Sequence, residues 1–201
     1  MNKMENRIKK IFCCTFIFAT ISLSAQDNSD VSKVEASFDL GSGLNFNFNE
    51  GAYQFKLGGM IQPYISFDKT EDVAADYFMN AKRSYFNISG KAVEEKVSFF
   101  LQTDFSLTDP LLDAWVAFHP TAEFNITFGQ KQTIANNREM QVMETLLQSP
   151  DRSLLSTSLS NSGREFGLYL DYTLRFNDMV LVPQIAATSG DGRNSFGSDS
   201  R

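Results

Sequence analysis

Five basic side chains give this sequence its clearest candidate chemistry, which is the binding of oxyanions. One lies on a predicted strand and the others lie in or beside a long connection between strands: Arg83, Lys131, Arg138, Arg152 and Arg164. A guanidinium group can donate two parallel hydrogen bonds to a carboxylate or phosphate, whereas an ammonium group acts as a point charge. We therefore expect these residues to form a solute-binding constriction for small anions.

Two of the arginines have a structural alternative that the sequence leaves open. Arg152 could pair with Asp151 or Glu144 and hold the shape of its loop, and Arg164 could pair with Glu165 or with a carboxylate on a strand. In either case the charge would be used within the protein and would not face a solute.

Catalytic and metal chemistry are poorly supported by the composition. The single histidine, His119, stands beside Pro120 in a predicted turn, without a nearby serine and acid that could form a catalytic triad. Both cysteines, Cys13 and Cys14, lie in a segment that export would remove, and metal sites need more than one histidine. We expect no enzymatic activity, no metal and no cofactor.

The N-terminus has the three parts of a secretory signal over residues 1–25. Basic residues precede the apolar run Ile11–Ile21, and small residues at Ser22–Ala25 suit cleavage. This segment carries four basic residues and one acid, so the formal charge changes from −6 for the whole chain to about −9 after its removal. A protein this acidic is expected to bind no nucleic acid. Residues 26–42 are expected to form an irregular periplasmic lead-in.

Strict alternation of apolar and polar residues predicts β-strands along the rest of the chain. Seven membrane-crossing strands are predicted: Tyr53–Phe67, Lys82–Lys91, Val97–Phe105, Leu111–His119, Glu123–Gln130, Glu165–Leu174 and Met179–Ser189. The connections between them alternate between short and long. A transmembrane β-barrel produces this asymmetry, because its periplasmic turns are short and its outer loops are long. We therefore predict an all-β fold, a transmembrane antiparallel β-barrel.

The polar residues of the alternation should line a water-filled interior, while their apolar neighbours face lipid. The predicted lining set is Gln54, Lys56, Gln62, Arg83, Asn87, Lys91, Gln102, Asp104, Asp113, Asn125, Thr127, Glu165 and Asp171.

The predicted number of strands is compatible with three folds, which are two kinds of barrel and one soluble fold. Seven crossings cannot close a bacterial barrel, which normally has an even number of strands. Counting Gly43–Asn49 as an eighth strand would allow a small closed barrel with a structural or adhesive role and no conductance. We favour the N-terminal part of a larger barrel over residues 43–201. A secreted β-sandwich binding module is the third alternative.

The connection over residues 131–163 is predicted to be the main functional loop. Met140, Met143 and Leu147 share one face of a predicted helix over 138–148, which Pro150 ends. A loop with an apolar stripe needs a surface to pack against, and the inner wall of a barrel provides one. The alternative is a loop that packs on its neighbours at the outer surface.

Several short motifs, in order, resemble those of the phosphate-selective porin O and P family. They include Leu57-Gly58-Gly59, Lys82-Arg83 before Tyr85-Phe86, Asp113-Ala114-Trp115, Phe128-Gly129-Gln130-Lys131, Asp151-Arg152, Gly163-Arg164, and Ser189-Gly190-Asp191-Gly192.

This resemblance implies a sixteen-stranded porin whose third outer loop, here 131–163, folds inward and narrows the channel. The chain would cover about half of such a barrel. The resemblance also implies a place in the outer membrane of a Gram-negative bacterium, contact with outer-membrane lipid, and a homotrimer of the full-length protein. Its implied function is passive diffusion of small hydrophilic solutes, particularly anions such as phosphate.

Overall fold

The computed structural model describes residues 34–71, 74–135, 151–159 and 163–195, all within one unit that spans Ser32–Arg201. These residues form an all-β fold with one short helix. The strands are β1 Glu35–Asp39, β2 Gly43–Phe48, β3 Tyr53–Asp68, β4 Asp76–Ala92, β5 Val97–Asp104, β6 Leu111–Phe118, β7 Phe124–Gln132, β8 Arg164–Tyr172, β9 Leu174–Phe176, β10 Met179–Leu181 and β11 Gln184–Thr188. The helix is α1, Leu154–Leu159. The predicted signal over residues 1–25 lies outside the described residues.

Nine of these strands form a single antiparallel sheet in the order β1-β2-β3-β4-β5-β6-β7-β8-β11. Each strand pairs with the next in sequence, except that the small β9–β10 hairpin forms a separate two-stranded sheet. The prediction of an all-β antiparallel architecture is thus confirmed. Within the described residues, the end strands β1 and β11 each pair with one neighbour only.

The first strand corrects the predicted lead-in over residues 26–42. Residues Glu35–Asp39 form β1, which pairs with β2 from Glu35↔Asn47 to Asp39↔Gly43. The alternation of Ala36 and Phe38 with polar residues covers only five positions, so it is weak as a sequence signal. Gly43 is needed where the hairpin turns, because it has a φ of +96° and a Cβ there would meet the carbonyl oxygen of Leu57.

The β3–β4 hairpin is longer than predicted. Its pairing continues to Asp68↔Asp76, so the expected gap at 68–81 shrinks to a connection over 69–75. The register shifts between Gln62 and Pro63, where a residue without an N–H can be accommodated. Aromatic pairs beyond the shift extend the strands, and the rings of Phe67 and Tyr77 lie 5.0 Å apart.

The end of the chain also differs from the prediction of one strand over Met179–Ser189. The β9–β10 hairpin turns back on itself at Asn177, whose φ is +46°. The strand that pairs with β8 begins only at Gln184. Pro183 separates the two pieces, because proline cannot donate to a ladder.

Connections at the two ends of the sheet differ in length. At one end they cover 49–52, 93–96 and 119–123, and at the other they cover 69–75, 105–110 and 133–163, together with the short β1–β2 turn over 40–42. The segment 173–183 at the first end carries the β9–β10 hairpin. The alternation therefore persists, although the first long connection is shorter than expected.

The register sorts the side chains of this sheet onto two chemically different faces. Every predicted lining residue, from Gln54 on β3 to Asp171 on β8, lies on one face, here called the polar face. The opposite, apolar face carries large exposed side chains on strands from β2 to β11: Leu44, Phe55, Ile61, Phe86, Val116, Phe128, Leu168 and Ile185.

Exposure on the two faces is the reverse of that in a soluble sheet. On the apolar face, Ile61 is 70% exposed, Phe128 58% and Val116 54%. On the polar face, Thr127 is 1% exposed and Asp113 6%. A sheet in water would place its apolar face against a core and its polar face outside.

Candidate functional site

Among the described residues, Arg164 forms the most buried ion pair, and its partner is Asp113 of the polar face. Its Nε and Nη2 atoms donate to Oδ2 of Asp113 over 3.1 Å and 3.0 Å. The two side chains are 17% and 9% exposed. The ion pair connects β8 to β6 across β7, so the guanidinium charge is used within the protein, as the structural alternative for Arg164 required.

Lys131 is held by two aromatic rings on the same face. Its ammonium nitrogen lies 5.1 Å from the ring centroid of Tyr169 and 6.0 Å from that of Trp115. A cation over aromatic faces is attracted by their negative quadrupole. The register places Lys131 opposite Glu165, which accepts a 3.1 Å hydrogen bond from the backbone N–H of Gly192. Lys131 is thus positioned on the polar face at the end nearest the long connection.

Arg83 lies on β4, three strands from Lys131 on β7 and four from Arg164 on β8, at the bulge of the β3–β4 hairpin. Its Nη1 atom donates to Oε1 of Gln62 over 2.7 Å, and these two residues are cross-strand partners. The pairing fixes the guanidinium on the polar face.

The long connection over 133–163 contacts β4, three strands away from β7 where it starts. Asp151 forms an ion pair with Lys82, whose ammonium lies 5.3 Å from the ring centroid of Tyr64. Neighbouring strands lie about 4.8 Å apart, so this connection reaches roughly 14 Å across the sheet. The hydrogen bond and charge of Lys82, with a smaller contribution from Arg83, lower the pKa of Asp151 below its usual 3.8.

The helix that follows Asp151 was not predicted. α1 begins after Ser153, whose hydroxyl oxygen accepts a 3.1 Å hydrogen bond from the N–H of Ser156. The predicted helix over 138–148 and the candidate Arg138 lie outside the described residues. Arg152 is half-buried between Asp151 and α1.

At the opposite end of the polar face, a turn carries its own charge pair. Lys91 donates to Oε2 of Glu95 over 2.9 Å, and this hydrogen bond lowers the pKa of Glu95. Nε2 of His119 shares a 2.8 Å hydrogen bond with the hydroxyl of Ser98. His119 directly follows β6, in a turn as predicted.

Sequence reasoning missed several aromatic residues of the polar face. Phe100, Trp115 and Tyr169 share it with Gln102, Asp113 and their polar neighbours. Only polar residues were chosen for the predicted lining set, so these rings were not included in it. Because every second residue of a strand lies on the same face, the position of Trp115 two residues after Asp113 would have placed it on the polar face.

Comparisons with known proteins give no family for this chain. No protein-family model and no curated protein matches it. Within the described ranges, no helix has the length and apolar character that a membrane crossing requires. Those ranges also contain no cluster of three or more histidine, cysteine, aspartate or glutamate residues suited to a metal ion.

Proposed function

We propose that this chain forms part of an outer-membrane β-barrel porin, a water-filled channel for passive diffusion of small hydrophilic solutes, with a preference for anions. The observation that carries the proposal is the reversed sheet, whose apolar face carries large exposed side chains while its polar face is mostly buried on β5 to β8 and mostly half-buried on β3 and β4. Full burial of one large apolar side chain is worth about 1.5–3 kcal/mol. An exposed face of such residues is stable when hydrocarbon covers it, as on the outside of a transmembrane barrel.

The lengths of the strands support a membrane crossing. A tilted strand needs about 9–11 residues to span a bilayer. The strands β7 and β8 reach this length with nine residues each, and β5 and β6 come within one residue of it, while β3 and β4 have 16 and 17 and would project beyond the bilayer. The extra length lies at the end of the sheet that carries the longer connections. The strands β1, β2 and β11 are shorter, with five or six residues.

The pairing of the end strands favours a larger barrel over the small closed one. A closed eight-stranded barrel would pair its first strand with its last, whereas β1 and β11 each have one neighbour in the nine-stranded sheet. Unpaired strand edges in lipid cost several kcal/mol per polar group, so we propose that further strands complete the wall.

The contact of Asp151 with β4 supports an inward path for the long connection. Lys82 extends over the ring of Tyr64, which the register places on the polar face, so Asp151 meets Lys82 on the channel side of the sheet. We propose that this connection narrows the channel and that Arg83 and Arg152 give the narrow region its positive charge, since Asp151 balances the charge of Lys82.

Planar-bilayer recordings test this function directly. The full-length product is reconstituted with unequal KCl on the two sides, and a reversal potential of the sign set by chloride is expected. Arg83→Gln should move that potential towards the potassium value, while Lys69→Gln, in the 69–75 connection, serves as the matched control. Absence of conductance in protein whose gel migration shows a folded barrel would refute the porin proposal.

A further inference from the structure

We propose that the polar face carries a binding subsite for a small aromatic carboxylate, formed by Lys56 together with the ring pair Phe100 and Trp115. This inference rests on the porin proposal, since it names a solute class for the same channel. It goes beyond that proposal because simple diffusion requires no aromatic surface on the wet wall.

The ring pair is the first observation. Phe100 and Trp115 are cross-strand partners on β5 and β6, with ring centroids 5.8 Å apart and planes inclined by 37°. Both rings are half-buried on the polar face, where lipid would not reach them. Aromatic rings attract other rings through offset or edge-to-face contacts worth about 0.5–1.5 kcal/mol beyond the buried area. The pair therefore offers a planar solute a surface on which to stack.

The second observation is a cation in the same cross-strand row. The register runs Lys56↔Ser89, Ser89↔Phe100 and Phe100↔Trp115. Two strand spacings, about 10 Å, separate the backbones of Lys56 and Phe100. A lysine side chain and a ring that carries a carboxylate can together span this distance.

The charge of Lys56 is not used by a carboxylate of the described residues. Its ammonium donates to the hydroxyl of Ser42 over 2.8 Å and has no salt bridge among those residues. Lys91, on the next row of the same face, is instead paired with Glu95 at 2.9 Å. Of the two lysines that line the cavity beside these rings, Lys56 is thus the one that remains available to a solute, and Lys131 is not among the lining residues.

A cavity of about 350 Å³ joins the two features. Lys56, Ser89, Phe100 and Trp115 line it together with amide side chains such as Gln54, and the described lining includes no aspartate or glutamate. Its volume falls in the range of small-molecule sites, which combine apolar walls with a few polar groups. An inorganic anion would leave the rings unused, and a neutral sugar would leave the ammonium unused. A planar ring with one carboxylate uses both.

The experiment uses Trp115, the only tryptophan of this sequence, as the reporter, and a Trp115→Phe variant identifies its share of the emission of the full-length protein. The folded protein in detergent is titrated with benzoate, cyclohexanecarboxylate, benzyl alcohol and methyl glucoside, while tryptophan emission is recorded. We expect a saturable change with benzoate. Cyclohexanecarboxylate, without the aromatic ring, and benzyl alcohol, without the charge, should each bind about fivefold more weakly.

Variants assign the binding to these residues. Lys56→Gln should weaken benzoate binding about fivefold and leave benzyl alcohol binding unchanged. Phe100→Leu keeps an apolar side chain and should also weaken benzoate binding, whereas Lys69→Gln should have no effect. Heat-modifiable migration on gels checks that each variant is folded.

Two results would overturn the inference: equal benzoate affinity in the wild type and Lys56→Gln, or a saturable response to methyl glucoside but not to benzoate. The measurement needs no conductance, so loss of the subsite and failure of the porin proposal are distinguishable. A protein that conducts but does not bind benzoate refutes the subsite alone, and one that binds benzoate without conducting refutes the porin.

Discussion

Substitution of Val116 by arginine tests whether the apolar face contacts hydrocarbon. Val116 is 54% exposed, and its cross-strand partner Phe128 lies in the middle of β7. A charged residue on the lipid face of a barrel costs about 2–4 kcal/mol near the midplane of the bilayer. The same change at an exposed position of a soluble sheet would stay within about 0.5 kcal/mol. The two environments thus predict effects that differ severalfold.

The assay is urea unfolding in phospholipid vesicles, followed by the emission of Trp115 and by gel migration. Ser89→Arg on β4 is the matched control, because Ser89 lies on the polar face and an arginine there would extend into water. We expect Val116→Arg to lower the free energy of unfolding by about 3 kcal/mol and Ser89→Arg to change it by less than about 1 kcal/mol. Equal effects of the two variants would refute the assignment of the faces.

Three further predictions concern individual contacts. Asp113→Asn should destabilise the protein by about 3 kcal/mol in urea unfolding, because it leaves the mostly buried Arg164 without its counter-charge. The contact of Asp151 with Lys82 should survive mild acid: the folded pKa of Asp151 is lowered, so the stabilisation is present above the unfolded pKa of about 3.8. It is lost only as the pH falls through the folded pKa of Asp151. The distance between spin labels attached at positions beside Asp151 and Lys82 would follow this loss. Gly129→Ala should cost at least about 1 kcal/mol, since Gly129 has a φ of +131° and a Cβ would meet backbone of the neighbouring strand.

Each of these three has its own control. The double variant of Asp113→Asn with Arg164→Gln should regain part of the lost stability, and no recovery would contradict the ion pair. Asp151→Asn should show the separated distance at every pH. Gly58→Ala should be nearly neutral, because a Cβ at that position lies 3.7 Å from the nearest backbone atom. Equal losses for the two alanine variants would contradict the steric argument.

The sequence alone predicted most of the strands and the sorting of their polar residues. Alternation with a period of two is a local property, and it placed residues as distant as Gln54 and Asp171 on one face. It could not predict β1, which has five residues and is defined by its pairing with β2. Likewise, the strand breaks at Pro183 because proline has no N–H to donate to the neighbouring strand. Sequence alone does not show which residues must donate such a hydrogen bond.

The candidate site was less predictable because its contacts join distant segments. The pairing of Arg164 with Asp113 was foreseen only as one of several alternatives, since local sequence does not specify which carboxylate faces an arginine. The contact of Asp151 with Lys82 needs the path of a long connection, for which neither residue gives a signal. The ring pair Phe100 and Trp115 was omitted from the predicted lining set because that set was chosen by polarity and not by position along the strand.

The long β3–β4 hairpin is a suitable site for inserting a peptide tag. Past the register shift at Pro63, its paired strands continue for a further stretch that the shorter neighbouring strands do not match, and the connection over 69–75 caps it. If the remainder of the wall sits in a bilayer, a peptide tag inserted at Lys69 would be displayed clear of the headgroups. Antibody labelling of intact cells would then report the orientation of the chain without any need to purify it.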